Sequence, residues 1–201
     1  MRPPSGGPFV VADPPDRPVA APPAHDVMWD MDATQDDVTA TPALGRYAID
    51  TDATTIHFRS RHLFGLLPVK GTFAVRSGTV DVAEPVAESS VRVEIDATSF
   101  HTGNDHRDGD VKSSKFLDTD QHPTMTFVSD RVDGTQIVGR LTACGVEKPL
   151  TLQVQESKPT PAGFTARATA RVDRTQFGVT GSPGMAGRHL DLTLEITCVR
   201  S

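Results

Sequence analysis

Polar and apolar residues alternate along most of the chain after residue 44. The last run is the most regular, with apolar side chains at Leu190, Leu192, Leu194, Ile196 and Cys198. A period of two places successive side chains on opposite faces of a strand. Similar alternation occurs at 56–62, 69–75, 80–82, 91–96, 124–128, 137–141, 150–154 and 164–172. Eight to ten short strands separated by Gly, Pro and Asp predict an all-β antiparallel sandwich or barrel.

Two dipeptides indicate turns between these strands. Asp133-Gly134 is a strong hairpin signal between two alternating runs. Ser77-Gly78 predicts another turn, which would separate the run at 69–75 from a short strand at 80–82. A barrel is favoured over an open sheet because closure removes exposed strand edges.

The run at 164–172 has unusually small side chains on its apolar face. Ala166, Ala168 and Ala170 follow one another there, and Gly71 and Gly139 lie on the apolar faces of other runs. Barrels of about eight strands either fill with side chains or hold one small ligand. A spacious interior would suit an apolar ligand, and the alternative is a packed barrel in which small residues face large partners.

The stretch from Thr102 to Phe127 interrupts the alternation and is rich in charged residues. Asn104 is a suitable N-cap for a helix from Asp105 to about Phe116. We expect this short helix to lie in the connection that covers one end of the sheet. Ion pairs are expected within Arg107-Asp108 and Asp173-Arg174.

Composition excludes several classes of protein. The net charge is −6 and no Lys/Arg cluster is evident, so nucleic acid is not an expected partner. No apolar run approaches the roughly 20 residues of a membrane span, and the N-terminus lacks a signal-peptide core, so a cytoplasmic location is expected. The two cysteines, Cys144 and Cys198, are expected to be unbridged, small, buried residues.

Residues 1–43 differ in composition from the rest of the chain. They are rich in Pro, Ala and Asp, which predicts a disordered tail before a domain at 44–201. Val27-Met28-Trp29-Asp30-Met31 is an apolar island in this tail. It is either incidental or a short motif that binds a partner or folds back on the domain.

A set of short motifs recurs in order between residues 44 and 199. The motifs are Gly45-Arg46-Tyr47-Ala48-Ile49-Asp50, Ile56-His57-Phe58, Arg61-His62, Gly71-Thr72-Phe73, Thr102-Gly103-Asn104, Arg107-Asp108, Lys112-Ser113, Phe116-Leu117-Asp118, Pro123 to Phe127, Gly139-Arg140-Leu141-Thr142, Gly145-Val146, Lys148-Pro149-Leu150 and Asp173-Arg174-Thr175-Gln176-Phe177-Gly178. This ordered set resembles the YceI-like, or polyisoprenoid-binding, family. The resemblance implies a lipocalin-like antiparallel β-barrel with an elongated apolar tunnel. It also implies non-covalent binding of a long isoprenoid or related amphiphilic lipid, as in transport or storage.

Candidate ligand-binding residues follow from that resemblance and from the apolar faces. Those expected to line the tunnel are Phe58, Phe73, Phe127, Leu141, Ala166, Ala168, Leu192 and Leu194. Three further residues beside the helix and loops, Phe100, Phe116 and Phe177, could gate its mouth. His62 lies on an apolar face, where it contacts a lipid head group, ligates a metal or is a buried, hydrogen-bonded structural residue, and the structural role is favoured. The loop Gly181 to Gly187 is either a portal or a plain connection.

No catalytic or metal-binding pattern is present in the sequence. The acidic residues around position 108 fail the EF-hand spacing. The histidines show no zinc-ligand pair, and no nucleophile motif occurs. We therefore expect a protein that is not an enzyme and needs no cofactor or metal. Alternatives are a haem- or other cofactor-binding barrel with His62 or His101 as ligand, or an adaptor acting through the tail; a homodimer is possible.

Overall fold

The computed structural model describes residues 40–62 and 66–201, apart from the side chain of His62. The predicted disordered tail and its Trp29 island lie outside the described residues, except for the last four positions, and remain a prediction. The first strand begins at Gly45.

Nine strands and one α-helix make up the described part of the chain. They are β1 (Gly45–Ile49), β2 (Thr55–His62), β3 (Leu67–Val82), β4 (Ser90–His101), α1 (Asp105–Lys112), β5 (Thr124–Asp133), β6 (Gln136–Ala143), β7 (Val146–Thr160), β8 (Gly163–Asp173) and β9 (His189–Arg200). Short 3₁₀ turns occur at Val86–Glu88 and Arg174–Phe177.

The strands form one closed antiparallel barrel. Successive strands pair from β2 through β9, β8, β7, β6, β5 and β4 to β3, which pairs again with β2. β1 and β2 both lie between β3 and β9, β1 beside residues 79–82 of β3 and β2 beside residues 67–74. Nine strands therefore fill eight positions around the barrel, and the predicted antiparallel barrel is confirmed.

The two ends of the barrel differ in what covers them. The helix end carries α1, the turns that follow it and the loop at 178–188. The opposite end, here called the N-terminal end, carries residues 40–44, the β5–β6 turn at Gly134 and the end of β7. The predicted turn at Asp133-Gly134 is confirmed, with Gly134 at a φ of 56°.

The turn predicted at Ser77-Gly78 is wrong. β3 continues from Leu67 to Val82, and its register with β4 shifts by one residue between Val75 and Ser77. Such a β-bulge bends and twists a strand without ending it. A Cβ atom at Gly78 would lie 2.5 Å from Cδ1 of Ile49, so the glycine lets β1 pack closely there.

The glycines at 71 and 139 do not enlarge the interior, contrary to expectation. A Cβ atom at Gly71 would lie 2.5 Å from Cζ of Phe58, and one at Gly139 would lie 2.8 Å from Cζ of Phe127. Each glycine therefore accommodates an aromatic ring above it. Both rings are almost fully buried.

Helix α1 begins as predicted but is shorter. The side chain of Asn104 accepts a hydrogen bond from the Arg107 amide at 3.0 Å, as an N-cap does. The helix ends at Lys112 rather than near Phe116, because Ser113 adopts an extended conformation and its hydroxyl donates to the carbonyl of Asp110 at 2.6 Å.

The expected Arg107–Asp108 ion pair is not the contact that holds the helix. The buried Asp108 carboxylate instead accepts from the hydroxyl of Thr102 at 2.6 Å and lies 3.1 Å from Nδ1 of His101. Burial raises the pKa of Asp108, but the Thr102 hydrogen bonds and the nearby positive charges outweigh it and leave the pKa below its usual value. Asp108 thus fastens α1 to the end of β4.

Both cysteines are free, as expected. Cys198 is buried at the N-terminal end, and burial raises the pKa of its thiol to about 12. Cys144 is only half-buried and lies at the helix end, where its thiol donates to the carbonyl of Leu117 at 3.4 Å.

Candidate ligand-binding cavity

A cavity of about 260 Å³ occupies the interior of the barrel. Inward-facing side chains from all nine strands line it. Its wall reaches Leu117 and Phe177 at the helix end and Ala40 and Thr135 at the N-terminal end. Strands of about ten residues, tilted as in a small barrel, span roughly 25 Å along the barrel axis. The space is therefore long and narrow, a shape that fits an extended chain.

The wall of this cavity is almost entirely apolar. Among the described residues, the polar or charged side chains that line it are Thr41, Ser89, Thr135, Ser157 and Arg174. The remaining wall consists mainly of Val, Ile, Leu, Phe and Ala. Such a surface favours a hydrocarbon ligand and gives few directions for polar recognition.

The alanine row of β8 contributes directly to the free space. Ala166 and Ala168 line the cavity, and Ala168 is 2% exposed while pairing with Val154 and Leu194. Their methyl groups leave volume that larger side chains would fill. The sequence left open whether the barrel interior is packed or spacious, and the structure contains a cavity.

Eight of the twelve predicted ligand-binding residues lie in the wall of the cavity. They are Phe73, Phe127, Leu141, Ala166, Ala168, Phe177, Leu192 and Leu194. Whether these side chains contact a ligand stays a prediction.

The other four predicted residues lie elsewhere. Phe58 and Phe100 are buried in an aromatic cluster with Phe73, with ring centroids 5.1 to 5.5 Å apart, and do not line the cavity. Phe116 lies at the helix end, under the guanidinium of Arg174 at 5.6 Å. The side chain of His62 lies outside the described part of the structure.

Arg174 holds the helix end together. Its guanidinium donates to the carbonyls of Val179 at 2.6 Å, Gly187 at 2.8 Å, Gly181 at 2.9 Å and Ala186 at 3.0 Å. Burial lowers the pKa of Arg174, but a guanidinium stays protonated in proteins. The loop predicted as a portal is therefore fixed along its length by one side chain, and its opening remains a prediction.

The expected Asp173–Arg174 ion pair is replaced by a different one. The carboxylate of Asp173 lies 2.6 Å from the guanidinium of Arg188 and also accepts from Thr175. The hydrogen bond from Arg188, together with that from Thr175, holds the pKa of Asp173 well below its usual range. This pair ties the start of the 3₁₀ turn to the residue before β9.

Ser157 was missed by the sequence reasoning, because alternation was followed along β7 only to Val154. The register between β7 and β8 shifts by one residue between Val154 and Glu156. The shift turns Ser157 inward, where it lines the cavity, and leaves Glu156 and Lys158 as an ion pair. No residue pattern in the sequence marks this bulge.

Of the two haem-ligand candidates, His62 and His101, the structure describes the side chain of His101. His101 is well exposed and bonded to Asp108, and it does not line the cavity. The described part of the chain contains no group of three or more His, Cys, Asp or Glu able to hold a metal ion. No helix in the described ranges is long and apolar enough to cross a membrane.

A family model and a sequence relative both relate this chain to YceI proteins. The family model described as the YceI-like domain matches residues 47–198. The protein YceI of Escherichia coli is 33% identical over 169 residues, which cover 77% of this chain and 86% of that protein.

Two solved structures resemble the fold. Burkholderia cenocepacia BcnA matches with a TM-score of 0.64 and 20% identity, covering 74% of this chain and 98% of that one. A polyisoprenoid binding domain from Saccharophagus degradans, described as implicated in plant cell wall breakdown, matches with a TM-score of 0.60 and 15% identity. That match covers 79% of this chain and 100% of the other. At these identities the two structures support the barrel fold alone.

Proposed function

Since the chain belongs to the YceI-like domain family, we propose that it binds a long-chain isoprenoid or related amphiphilic lipid, non-covalently, inside the barrel. One observation carries the proposal: a long, narrow cavity with a wall that is apolar except for five described side chains. The neighbour from Saccharophagus degradans, which shares the barrel fold, is described as a polyisoprenoid binding domain, and the proposal gives this chain a ligand of the same class.

The energetics favour a ligand that is mostly hydrocarbon. Burial of each CH₂-sized group contributes about 0.8 kcal/mol, so one five-carbon isoprene unit contributes about 4 kcal/mol before ordering costs. Several units in a line would offset the loss of translational freedom and of chain entropy. Few polar contacts are needed for affinity, which agrees with the composition of the wall.

We propose carriage or storage of the lipid rather than catalysis. Along the described cavity wall, Arg174 and Cys198 are the titratable side chains. Arg174 is committed to four carbonyls, and the thiol of Cys198 has a pKa of about 12, which keeps it protonated near neutral pH. Neither is arranged as a nucleophile beside a base.

The test is native mass spectrometry of protein purified from its own host, followed by solvent extraction and lipid mass spectrometry. We expect a stoichiometric prenyl-type lipid. The variant Ala166→Leu/Ala168→Leu, which narrows the cavity, should retain less lipid than Thr165→Leu, whose new side chain points to the outer face of β8. An empty wild-type barrel that also takes up no added isoprenoid would contradict the proposal.

Two further expectations remain proposals. We propose a cytoplasmic location, tested by fractionating cells that express the natural gene, and recovery outside the cytoplasm would overturn it. A homodimer through an outer face of the barrel is tested by light scattering of the purified protein.

A further inference from the structure

The hydroxyl of Ser157 is buried without a hydrogen-bond partner. The residue is 4% exposed. When the buried side-chain oxygen and nitrogen atoms of the described residues are compared, the Oγ of Ser157 is the one without a hydrogen-bond partner. Buried hydroxyls in proteins normally find a partner, because an unpaired one loses its hydration without compensation. This orphan oxygen lies in the wall of the ligand cavity.

The position of Ser157 is imposed by the backbone. The register shift after Val154 turns the side chain inward, and the Ser157 carbonyl is fixed by the amide of Ala40 at 3.1 Å. Its partner across the ladder is Ala166, whose methyl group offers no hydrogen bond. The hydroxyl is thus held at the N-terminal end of the cavity, three positions before β7 ends at Thr160.

Three other described polar side chains line the wall at this end: Thr41, which is exposed, and Ser89 and Thr135, which are already engaged. The hydroxyl of Ser89 accepts from the amide of Ala83 at 3.0 Å. The hydroxyl of Thr135 accepts from the side chain of Gln153 at 2.6 Å. Ser157 differs from Ser89 and Thr135 because its hydroxyl is buried in the cavity wall with no described partner, either as donor or as acceptor.

From these contacts we propose that Ser157 is the polar anchor for an uncharged, oxygen-bearing head group of the bound lipid, an alcohol or a carbonyl. This rests on the proposed function and adds the chemistry and the orientation of the ligand. The hydroxyl can donate to a carbonyl, or donate to and accept from an alcohol. The hydrocarbon chain then runs from Ser157 toward the helix end.

Charge decides against a phosphate or carboxylate at this position. Around Ser157, the described wall carries Thr41, Ser89 and Thr135 but no charged side chain. The cation of the wall, Arg174, lies at the helix end and is bonded to four carbonyls. An ionised group beside Ser157 would be buried without a counter-charge, which is strongly unfavourable.

The test compares three 20-carbon probes: phytol, the hydrocarbon phytane and phytyl phosphate. Their affinities for delipidated protein are measured by titration calorimetry for the wild type and for Ser157→Ala. We expect the wild type to prefer phytol over phytane and over phytyl phosphate. Ser157→Ala should weaken phytol binding by about two- to tenfold, the range of one net hydrogen bond, and leave phytane binding unchanged.

Ser89→Ala is the matched control, because it removes a hydroxyl from the same cavity wall that already has a partner. It should lower the melting temperature and keep the phytol-to-phytane ratio, whereas Ser157→Ala should keep or raise the melting temperature of the delipidated protein. An unchanged ratio in Ser157→Ala, tighter binding of phytyl phosphate than phytol, or a melting temperature lowered as in the control would each overturn the assignment. If the wild type binds neither phytol nor phytane, the proposed function itself fails, and the assignment of Ser157 with it.

Discussion

Replacing Ala168 by leucine tests whether the space inside the barrel is real. Ala168 is 2% exposed and lines the cavity, so the three added carbon atoms should enter empty space. At about 0.8 kcal/mol for each buried CH₂-sized group, the gain is about 2.4 kcal/mol. Fixing a leucine rotamer costs about 0.5–1 kcal/mol. The net expectation is that the delipidated protein becomes more stable by about 1.5 kcal/mol.

A packed interior would give the opposite sign. Insertion of extra methylenes into a filled core costs about 1–3 kcal/mol. The chain offers a matched control at Ala97, which is 1% exposed in the core but does not line the cavity. Ala97→Leu should therefore destabilise the barrel by about 1–3 kcal/mol, although the substitution is chemically identical.

The assay is urea unfolding of delipidated protein, followed by far-UV circular dichroism and extrapolated linearly to water. The stabilisation of Ala168→Leu should disappear when the lipid is bound, because the leucine and the ligand compete for one volume. If Ala168→Leu and Ala97→Leu destabilise the protein to the same extent, then the barrel has no usable space beside β8, and the reasoning from the cavity is refuted.

Three further predictions concern the supports of the barrel. Gly71→Ala should destabilise the protein by about 1–3 kcal/mol in urea unfolding, because its methyl group would overlap both the backbone carbonyl of His101 and the ring of Phe58; unchanged stability would show that both the strand and the ring give way freely. Arg174→Lys should raise hydrogen-exchange rates of the amides at 179–187 by about tenfold, because an ammonium cannot reach four separate carbonyls; unaltered exchange would mean that the loop is held by other contacts. The hydrogen bond from Arg188 lowers the pKa of Asp173 in the folded protein. The contribution of this ion pair to stability is therefore complete at pH values above about 3.9, the ordinary pKa of an aspartate, and is lost as the pH falls below that value. Asp173→Asn should therefore flatten the acid limb of the stability–pH curve, and a limb as steep as that of the wild type would contradict this account.

Local signals in the sequence were sufficient for the strands and for the start of the helix. Leu190 to Cys198 alternate because one face of β9 meets the interior and the other faces outward, and the apolar residues of the run all line the cavity. Asn104 caps α1 because its side chain reaches an amide only three residues away. Strand alternation and helix capping both depend on residues that are close neighbours in the sequence, so a short stretch of sequence is enough to predict them.

The candidate site was predictable only in part. Ala166, Ala168 and Leu192 line the cavity because they follow uninterrupted alternation in β8 and β9. Phe58 and Phe100 also lie on apolar faces, yet they pack on each other, and only the arrangement of neighbouring strands separates core from cavity wall.

The sequence by itself determined an all-β chain with apolar inner faces and one short helix. The tertiary structure decided the rest through long-range pairing. One extra residue at the bulge near Arg76 keeps β3 continuous, and one at Gln155 turns Ser157 inward. Because side chains in a strand alternate with a period of two, a single inserted residue exchanges the two faces. Whether a strand accommodates that residue depends on how it pairs with the next strand, here β4 for β3 and β8 for β7, and the alternation within one strand does not show that pairing.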